Sequence, residues 1–160
     1  MLCSVLTGEK MKNSYSTKRI VTIALKLLEK QMKIENNQFT KPNQVIDYLR
    51  LKLEQKEREH FVAMYLNNQH QLIKVETLFM GTINSVEIHP REIIKQALKH
   101  NAAAIIFAHN HPSGEAQPSS ADRNINQKLT EILDIVNIRV LDHIVIGQQS
   151  YFSFAERSWL

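Results

Sequence analysis

From Thr17 onward the apolar positions fall at helical intervals. Ile20, Ile23, Ala24, Leu27 and Leu28 recur three and four residues apart with Lys and Glu between them, which predicts an amphipathic helix to about Ile34, ended by Asn36 and Asn37. Thr40 and Pro42 supply a second helix start, and Val45, Ile46, Leu49 and Leu53 make one apolar stripe to about Lys56. The pattern then changes. Phe61 to Leu66 is apolar at both odd and even positions, as in a strand buried on two faces; Asn67-Asn68-Gln69 breaks it before a second strand from Leu72 to Phe79, so the two predict a hairpin. Pro90 opens a helix with Ile93, Ile94, Ala97 and Leu98 on its buried side, ending near His100. Ala103 to Ala108 reads as a central strand that runs into His-Asn-His-Pro-Ser-Gly, where Pro112 and Gly114 demand irregular backbone. Ser119 starts a long helix carrying Ile125, Leu129, Ile132, Leu133 and Val136 on one face, and Asn137 ends it. Ile138 to Ile146 is another strand, residues 147–149 a turn, and Tyr151 to Phe154 a short last strand.

This order mixes hairpins with crossovers, so the expected fold is a three-layer α/β arrangement, a mixed sheet flanked by helices. Residues 1–16 show no periodicity and read as a flexible arm, 17–58 as an N-terminal helical extension, and 59–160 as the main domain. At 160 residues and 43% hydrophobic, the chain can bury one core but is short for two. Its single cysteine, Cys3, excludes an intrachain disulfide and a thiolate metal cluster and suits a reducing cytosol. The longest apolar run, Ala102 to Ala108, is too short for a bilayer and the N-terminus lacks a signal-type apolar stretch, so a cytoplasmic location without membrane contact is expected. Charge is uneven: residues 1–58 hold 12 Lys+Arg against 6 Asp+Glu, net +6, and residues 59–160 hold 8 against 10, net −2. The basic part could attract nucleic acid. Lys18, Lys26, Lys30 and Lys33 nevertheless alternate with Leu and Ile as the solvated face of an amphipathic helix requires.

His109 and His111 flank one residue at the mouth of a strand, so in extended backbone both imidazoles can point to one side, as two ligands of one metal do. Seven residues separate His111 from Ser119, and Asp122 lies three further on, so a loop and one helical turn can return its carboxylate to the histidines. Two imidazoles and one carboxylate predict one zinc ion per chain, with the fourth tetrahedral position left for a water whose pKa falls to about 7. Such a water needs a base, and Glu59, just ahead of the strand at Phe61, is the candidate; Glu57 and Glu87 are the alternatives. Ser119-x-x-Asp122 before an apolar helix is equally a capping box, and the two roles can coexist. His60, His70, His89, His100 and His143 have no partner at ligand spacing and read as turn, helix-end or strand residues, although His143 could orient a loop or a group lying behind the ligands. Trp159 reads as a residue that packs the tail.

His109-x-His111-Pro112, the seven-residue gap, and Ser119-x-x-Asp122 together resemble the JAMM signature of JAB/MPN metallopeptidases. Gly81-Thr82-Ile83-Asn84-Ser85, His89-Pro90-Arg91-Glu92, Asn101-Ala-Ala-Ala, His111-Pro-Ser-Gly and Leu141-Asp-His resemble the RadC-like branch in particular, so the likeness runs from about Glu59 to Phe154. The resemblance implies a cytidine-deaminase-like topology, an upstream glutamate as general acid/base matched by Glu59 in Arg58-Glu59-His60-Phe61, and a serine matched by Ser119 that hydrogen-bonds the developing oxyanion or the bound water. Longer RadC proteins carry a helix-hairpin-helix module with glycine-containing hairpins. Here Gly8 is the only glycine before Gly81, so that module is expected to be absent, as in short RadC-like proteins of mobile elements.

The leading expectation is a zinc-dependent hydrolase, a metallopeptidase acting on an amide or isopeptide bond of a peptide or protein substrate. The competing one is a DNA-repair or mobile-element accessory protein that binds nucleic acid or a protein partner through its basic N-terminal region and keeps a vestigial metal site. A zinc deaminase fails, because the Cys-x-x-Cys pair it needs is absent.

Overall fold

A computed structural model describes residues 16–34, 42–81 and 89–160 of the chain. The arm up to residue 15, the helix-end signals Asn36, Asn37 and Thr40, the Gly-Thr-Ile-Asn-Ser segment beyond Gly81 and the alternative base Glu87 lie outside the described residues. Within them the elements run α1 (Thr17–Ile34), α2 (Pro42–Leu53), β1 (Glu59–Leu66), β2 (Leu72–Gly81), α3 (Pro90–Lys99), β3 (Ala104–Asn110), α4 (Ser120–Ile135), β4 (Arg139–Ile146) and β5 (Tyr151–Ser153). None of the described helices is long and apolar enough to cross a membrane.

The five strands form one mixed sheet in the order β2-β1-β3-β4-β5. β1 pairs antiparallel with both β2 and β3, and β4 antiparallel with β5; β3 and β4, joined through α4, are parallel, as a helical crossover requires. β3 is therefore central, and all seven of its residues are buried. It runs two residues past the expected end at Ala108. His109 is held by β1 and β4 as partner of Phe61 and Val145, and Asn110 by β4 as partner of Ile146. β1 likewise begins at Glu59 rather than Phe61, because Glu59 and His60 already pair with Gly81 and Met80.

Alternation along the strands separates two apolar layers. Val62, Met64, Leu66, Ala104, Ile106 and Ala108 meet Tyr48, Leu49 and Leu53 of α2 and Met32 of α1. Phe61, Ala63, Tyr65, Ile105 and Phe107 meet Ile93 and Ala97 of α3 and Leu129 and Leu133 of α4. The described residues thus form a three-layer α/β fold with a helical pair at its N-terminal end. α1 is rotated from the stripe its sequence suggests: Leu25, Leu28 and Met32 face the core, while Ile20, Ile23 and Leu27 are exposed. The Tyr48 hydroxyl of α2, which donates to Glu29, fixes that orientation from the polar side.

Candidate metal centre

The odd positions of β3 turn toward α3 and α4, so His109 inherits the face of Ile105 and Phe107 and is fully buried, its ring stacked at 6.1 Å on that of its cross-strand partner Phe61. His111 is fixed just beyond the strand by its backbone N–H, which donates to the Ile146 carbonyl at 2.9 Å. From there the chain turns through Gly114, whose φ of +87° is costly for any residue with a Cβ. The Gly114 carbonyl accepts from Gln148 N–H and lies 2.5 Å from where a Cβ on Gly147 would stand, so that glycine lets the β4–β5 turn close against the loop. α4 then starts on the predicted capping box. Ser119 Oγ accepts from Asp122 N–H at 3.1 Å, and the Ser119 N–H and hydroxyl donate to Asp122 Oδ2 at 2.7 and 2.6 Å.

The result is a convergence of donors. His109 Nε2 lies 3.0 Å from His111 Nε2 and 3.3 Å from Asp122 Oδ1, and His111 Nε2 is 3.5 Å from Asp122 Oδ2. Donors held about 2 Å from a common tetrahedral centre stand roughly 3.3 Å apart, so this spacing suits a metal such as zinc. Two further observations support the fit. His111 Nδ1 lies 2.8 Å from the Glu115 carbonyl, which can only accept; the proton therefore belongs on Nδ1 and Nε2 is left bare. Asp122 Oδ1 is buried without a hydrogen-bond partner, whereas Oδ2 is tied to Ser119. His109, His111 and Asp122 could accordingly hold a metal ion.

The electrostatics agree. Burial alone would raise the Asp122 pKa, but with protons rather than a metal on the imidazoles, the close approach of His109 and His111, the charge of His109 and the hydrogen bonds from Ser119 hold it far below the usual carboxylate range. In that same metal-free state the charged form of His111 donates to Asp122, which chiefly shifts its pKa upward, with a contribution from the charge of Glu59. That coupling fits the register. Two residues before Phe61 on β1, Glu59 stands by alternation on the same face of the sheet as Phe61 and its partner His109.

Two residues contribute in ways that spacing did not reveal. His143, fully buried on β4, has Nε2 2.9 Å from His109 Nδ1. Burial above all keeps its pKa well below the ordinary imidazole value, so it is neutral and accepts from His109 Nδ1–H, which leaves His109 Nε2 free to ligate. The sequence pointed to His143 only as a residue that could orient a loop or a group lying behind the ligands; its partner, the candidate ligand His109, lies 34 positions away. Asn110 went unnoticed between the two histidines. Its side chain accepts from His60 N–H at 2.9 Å and donates to the carbonyls of Arg58 (3.0 Å) and Lys56 (3.3 Å), tying down the segment that carries Glu59. The available signal was a polar amide at the end of a central strand that is apolar as far as Ala108. His60, His70 and His100 bond elsewhere, to Arg58, Arg139 and Glu76.

A central strand that delivers two imidazoles to a helix-borne carboxylate defines an α/β protein with a pocket fit for a divalent metal. More particularly, the chain belongs to the RadC-like JAB domain family, which matches residues 39–159, taking in α2 and leaving α1 outside. It is 48% identical to UPF0758 protein YkfG of Escherichia coli (strain K12) over 143 residues, 89% of this chain and 90% of that one. It is 50% identical to UPF0758 protein YeeS of the same organism over 141 residues, covering 88% and 95%. A UPF0758 protein of Histophilus somni (strain 2336) is 53% identical over 123 residues, 77% of this chain but 55% of the relative, so the chain spans about half the length of that longer protein.

Proposed function

We propose that the chain is a zinc-dependent hydrolase cleaving an amide or isopeptide bond in a peptide or protein. The observation that carries this reading is the bare, buried Asp122 Oδ1 converging with two imidazole Nε2 atoms on the sheet face that also bears Glu59. His109, His111 and Asp122 would hold the ion, which when bound supplies Lewis acidity that polarises a carbonyl and makes a water acidic near neutral pH. The remaining work falls to the chain. The Glu59 carboxylate takes a proton from the attacking water and returns it to the leaving nitrogen. Ser119, whose hydroxyl donates to Asp122 Oδ2 at 2.6 Å, orients that carboxylate and, by turning its one hydroxyl proton away while its backbone N–H keeps Oδ2 bonded, donates to the developing oxyanion. Asn110 keeps Glu59 in place through its bonds to residues 56, 58 and 60.

A peptide-library cleavage screen followed by Glu59→Gln tests it. The amide keeps size and hydrogen bonding but loses the proton acceptor, so zinc content should be unchanged while turnover falls by about 10²–10⁴-fold. Wild-type turnover in a zinc-loaded Glu59→Gln protein would remove Glu59 as the base and turn attention to Glu57 or Glu87.

A second reading, a nucleic-acid-binding accessory protein with a vestigial site, is favoured by one observation: Lys18, Lys26, Lys30 and Lys33 all lie exposed on α1, outside the family match. Binding through them would weaken steeply with salt, and no DNA binding at low salt would dismiss it.

A further inference from the structure

Beside the metal centre lies a second concavity. A cleft of about 370 Å³ opens between α4 and the segment after β5, lined by Arg123, Asn126, Thr130, Phe154, Trp159 and Leu160. It shares walls with the centre. Arg123 follows the candidate ligand Asp122 and Asn126 lies one turn further along α4, while Phe154 stacks at 4.9 Å on His143, the hydrogen-bond partner of His109. The opposite wall is anchored too. Asp142 accepts from Ser153 Oγ and Ala155 N–H, and the Trp159 N–H donates to the Phe154 carbonyl, so the segment bearing the indole is held at both ends.

Two features of the cleft call for a ligand. The Arg123 guanidinium lies 4.1 Å above the Trp159 ring and pairs with no carboxylate among the described residues. A guanidinium held over an aromatic ring by the cation–π attraction keeps N–H groups available to a carboxylate. The second is Asn126, only 2% exposed, whose amide oxygen has no hydrogen-bond partner. A buried acceptor without a donor is unfavourable, and a rotation of the amide that turns its oxygen into the cleft lets a ligand N–H relieve it. Phe154, Trp159 and Leu160 supply apolar surface between these polar points.

We infer that the cleft receives a peptide segment with an acidic side chain, its carboxylate on Arg123, a backbone N–H on the Asn126 amide oxygen, and an apolar neighbour against Phe154 and Trp159. This assignment rests on the hydrolase reading and gives it a substrate class, acidic peptides. A nucleic acid fits less well. A polyanion needs several cations, whereas the lining of the cleft offers Arg123 as its one basic side chain and includes the acidic Glu131, and residues 59–160 carry net charge −2 from 8 basic and 10 acidic side chains.

The test is nuclear magnetic resonance titration of the full ¹⁵N-labelled, zinc-loaded chain with N-acetyl-glutamyl-leucinamide and its neutral twin N-acetyl-glutaminyl-leucinamide. The acidic peptide should shift the Trp159 indole N–H and the Asn126 side-chain NH₂ signals. The neutral twin, or Arg123→Gln with the acidic peptide, should bind about fivefold more weakly, with Arg123→Lys in between because it keeps the charge and loses the fork. Arg123 is exposed, so these variants should melt as the parent does, which the same samples report. Equal affinity for the two peptides, wild-type affinity in Arg123→Gln, or a thymidine oligonucleotide moving the cleft signals when the peptides do not would each overturn the inference. Cleavage is read separately, from the peptide's own resonances. Arg123-dependent binding without cleavage upholds the cleft and counts against the hydrolase, whereas cleavage indifferent to Arg123 sinks the cleft alone.

Discussion

The two faces of the sheet are built from the same strands and end differently. Toward α1 and α2, the even positions of β1 and β3 are apolar from Leu66 to Val62 and from Ala104 to Ala108, closed by Tyr48, Leu49 and Leu53. Toward α3 and α4, the odd positions of β3 begin as Ile105 and Phe107 and finish as His109, packed against His143 and Asp122. Five of the six buried side-chain polar atoms without a partner among the described residues lie on this second side: Tyr65 Oη, Gln96 Oε1, Asp122 Oδ1, Asn126 Oδ1 and His143 Nδ1. A buried group left unpaired costs about 1–3 kcal/mol, so the α3/α4 side is where a bound metal, water or ligand has most to stabilise. One layer secures the fold, and the other can then present unsatisfied donors and acceptors to a ligand.

That division has consequences that differ in size. The largest concerns the ligands. His109→Ala or Asp122→Ala should abolish zinc binding, since one of three donors is lost, while far-ultraviolet circular dichroism stays near wild type because both apolar layers survive. Retained zinc in both variants, or collapse on chelation, would merge the two roles that the faces keep apart. Protons compete for the same atoms. Asp122 raises the His111 pKa above its ordinary 6.5 in the metal-free pocket, so zinc affinity should fall as pH drops, beginning higher than for a free imidazole. Equilibrium dialysis between about pH 8 and about pH 5 follows it; constant affinity would rule these ligands out.

The reciprocal change lies on the other face. Leu49 is wholly buried against the sheet, and Leu49→Ala should cost about 2–5 kcal/mol of unfolding free energy in urea while zinc affinity below the transition stays unchanged. A matching loss of zinc affinity would show the faces to be coupled. Smaller again is His143→Leu, which removes the acceptor for His109 Nδ1–H and should weaken zinc by about 10–100-fold; His143→Gln, which can still accept, should recover part of it. No loss in the leucine variant would mean that packing alone orients His109.

How far the sequence reveals this division depends on whether the information is local. Helix stripes, the hairpin and the strand at 104–110 are local patterns, and the elements were legible within a few residues. The pairing of His109, His111 and Asp122 was legible because a strand, a loop and one helical turn separate them. α1 was misread in its rotation, since Ile20 and Leu27 satisfy the periodicity as well as Leu25 and Met32, and only Tyr48 and the sheet choose between them. His143 and Asn110 depend on partners 34 and 50 or more residues away, through a parallel crossover and an antiparallel register that no local pattern states.

The smallest expected effect tests the junction between the two roles. Ser119 is at once the N-cap of α4, accepting from Asp122 N–H at 3.1 Å, and a donor to Asp122 Oδ2 at 2.6 Å. Ser119→Ala removes the cap and should lower stability by about 1 kcal/mol. It also removes one of the two bonds to Oδ2, but the Ser119 backbone N–H remains at 2.7 Å, so the carboxylate stays oriented and zinc affinity should change by less than it does in His143→Leu. If Ser119 also donates to the oxyanion, turnover should fall by roughly a hundredfold with zinc in place, a loss far beyond what 1 kcal/mol of helix stability explains. Ser119→Thr separates these contributions, because it restores a hydroxyl that can cap and donate. Recovery of stability together with turnover would assign the hydroxyl both roles. A Ser119→Ala protein with wild-type turnover would restrict it to the cap and leave the α4 start purely structural.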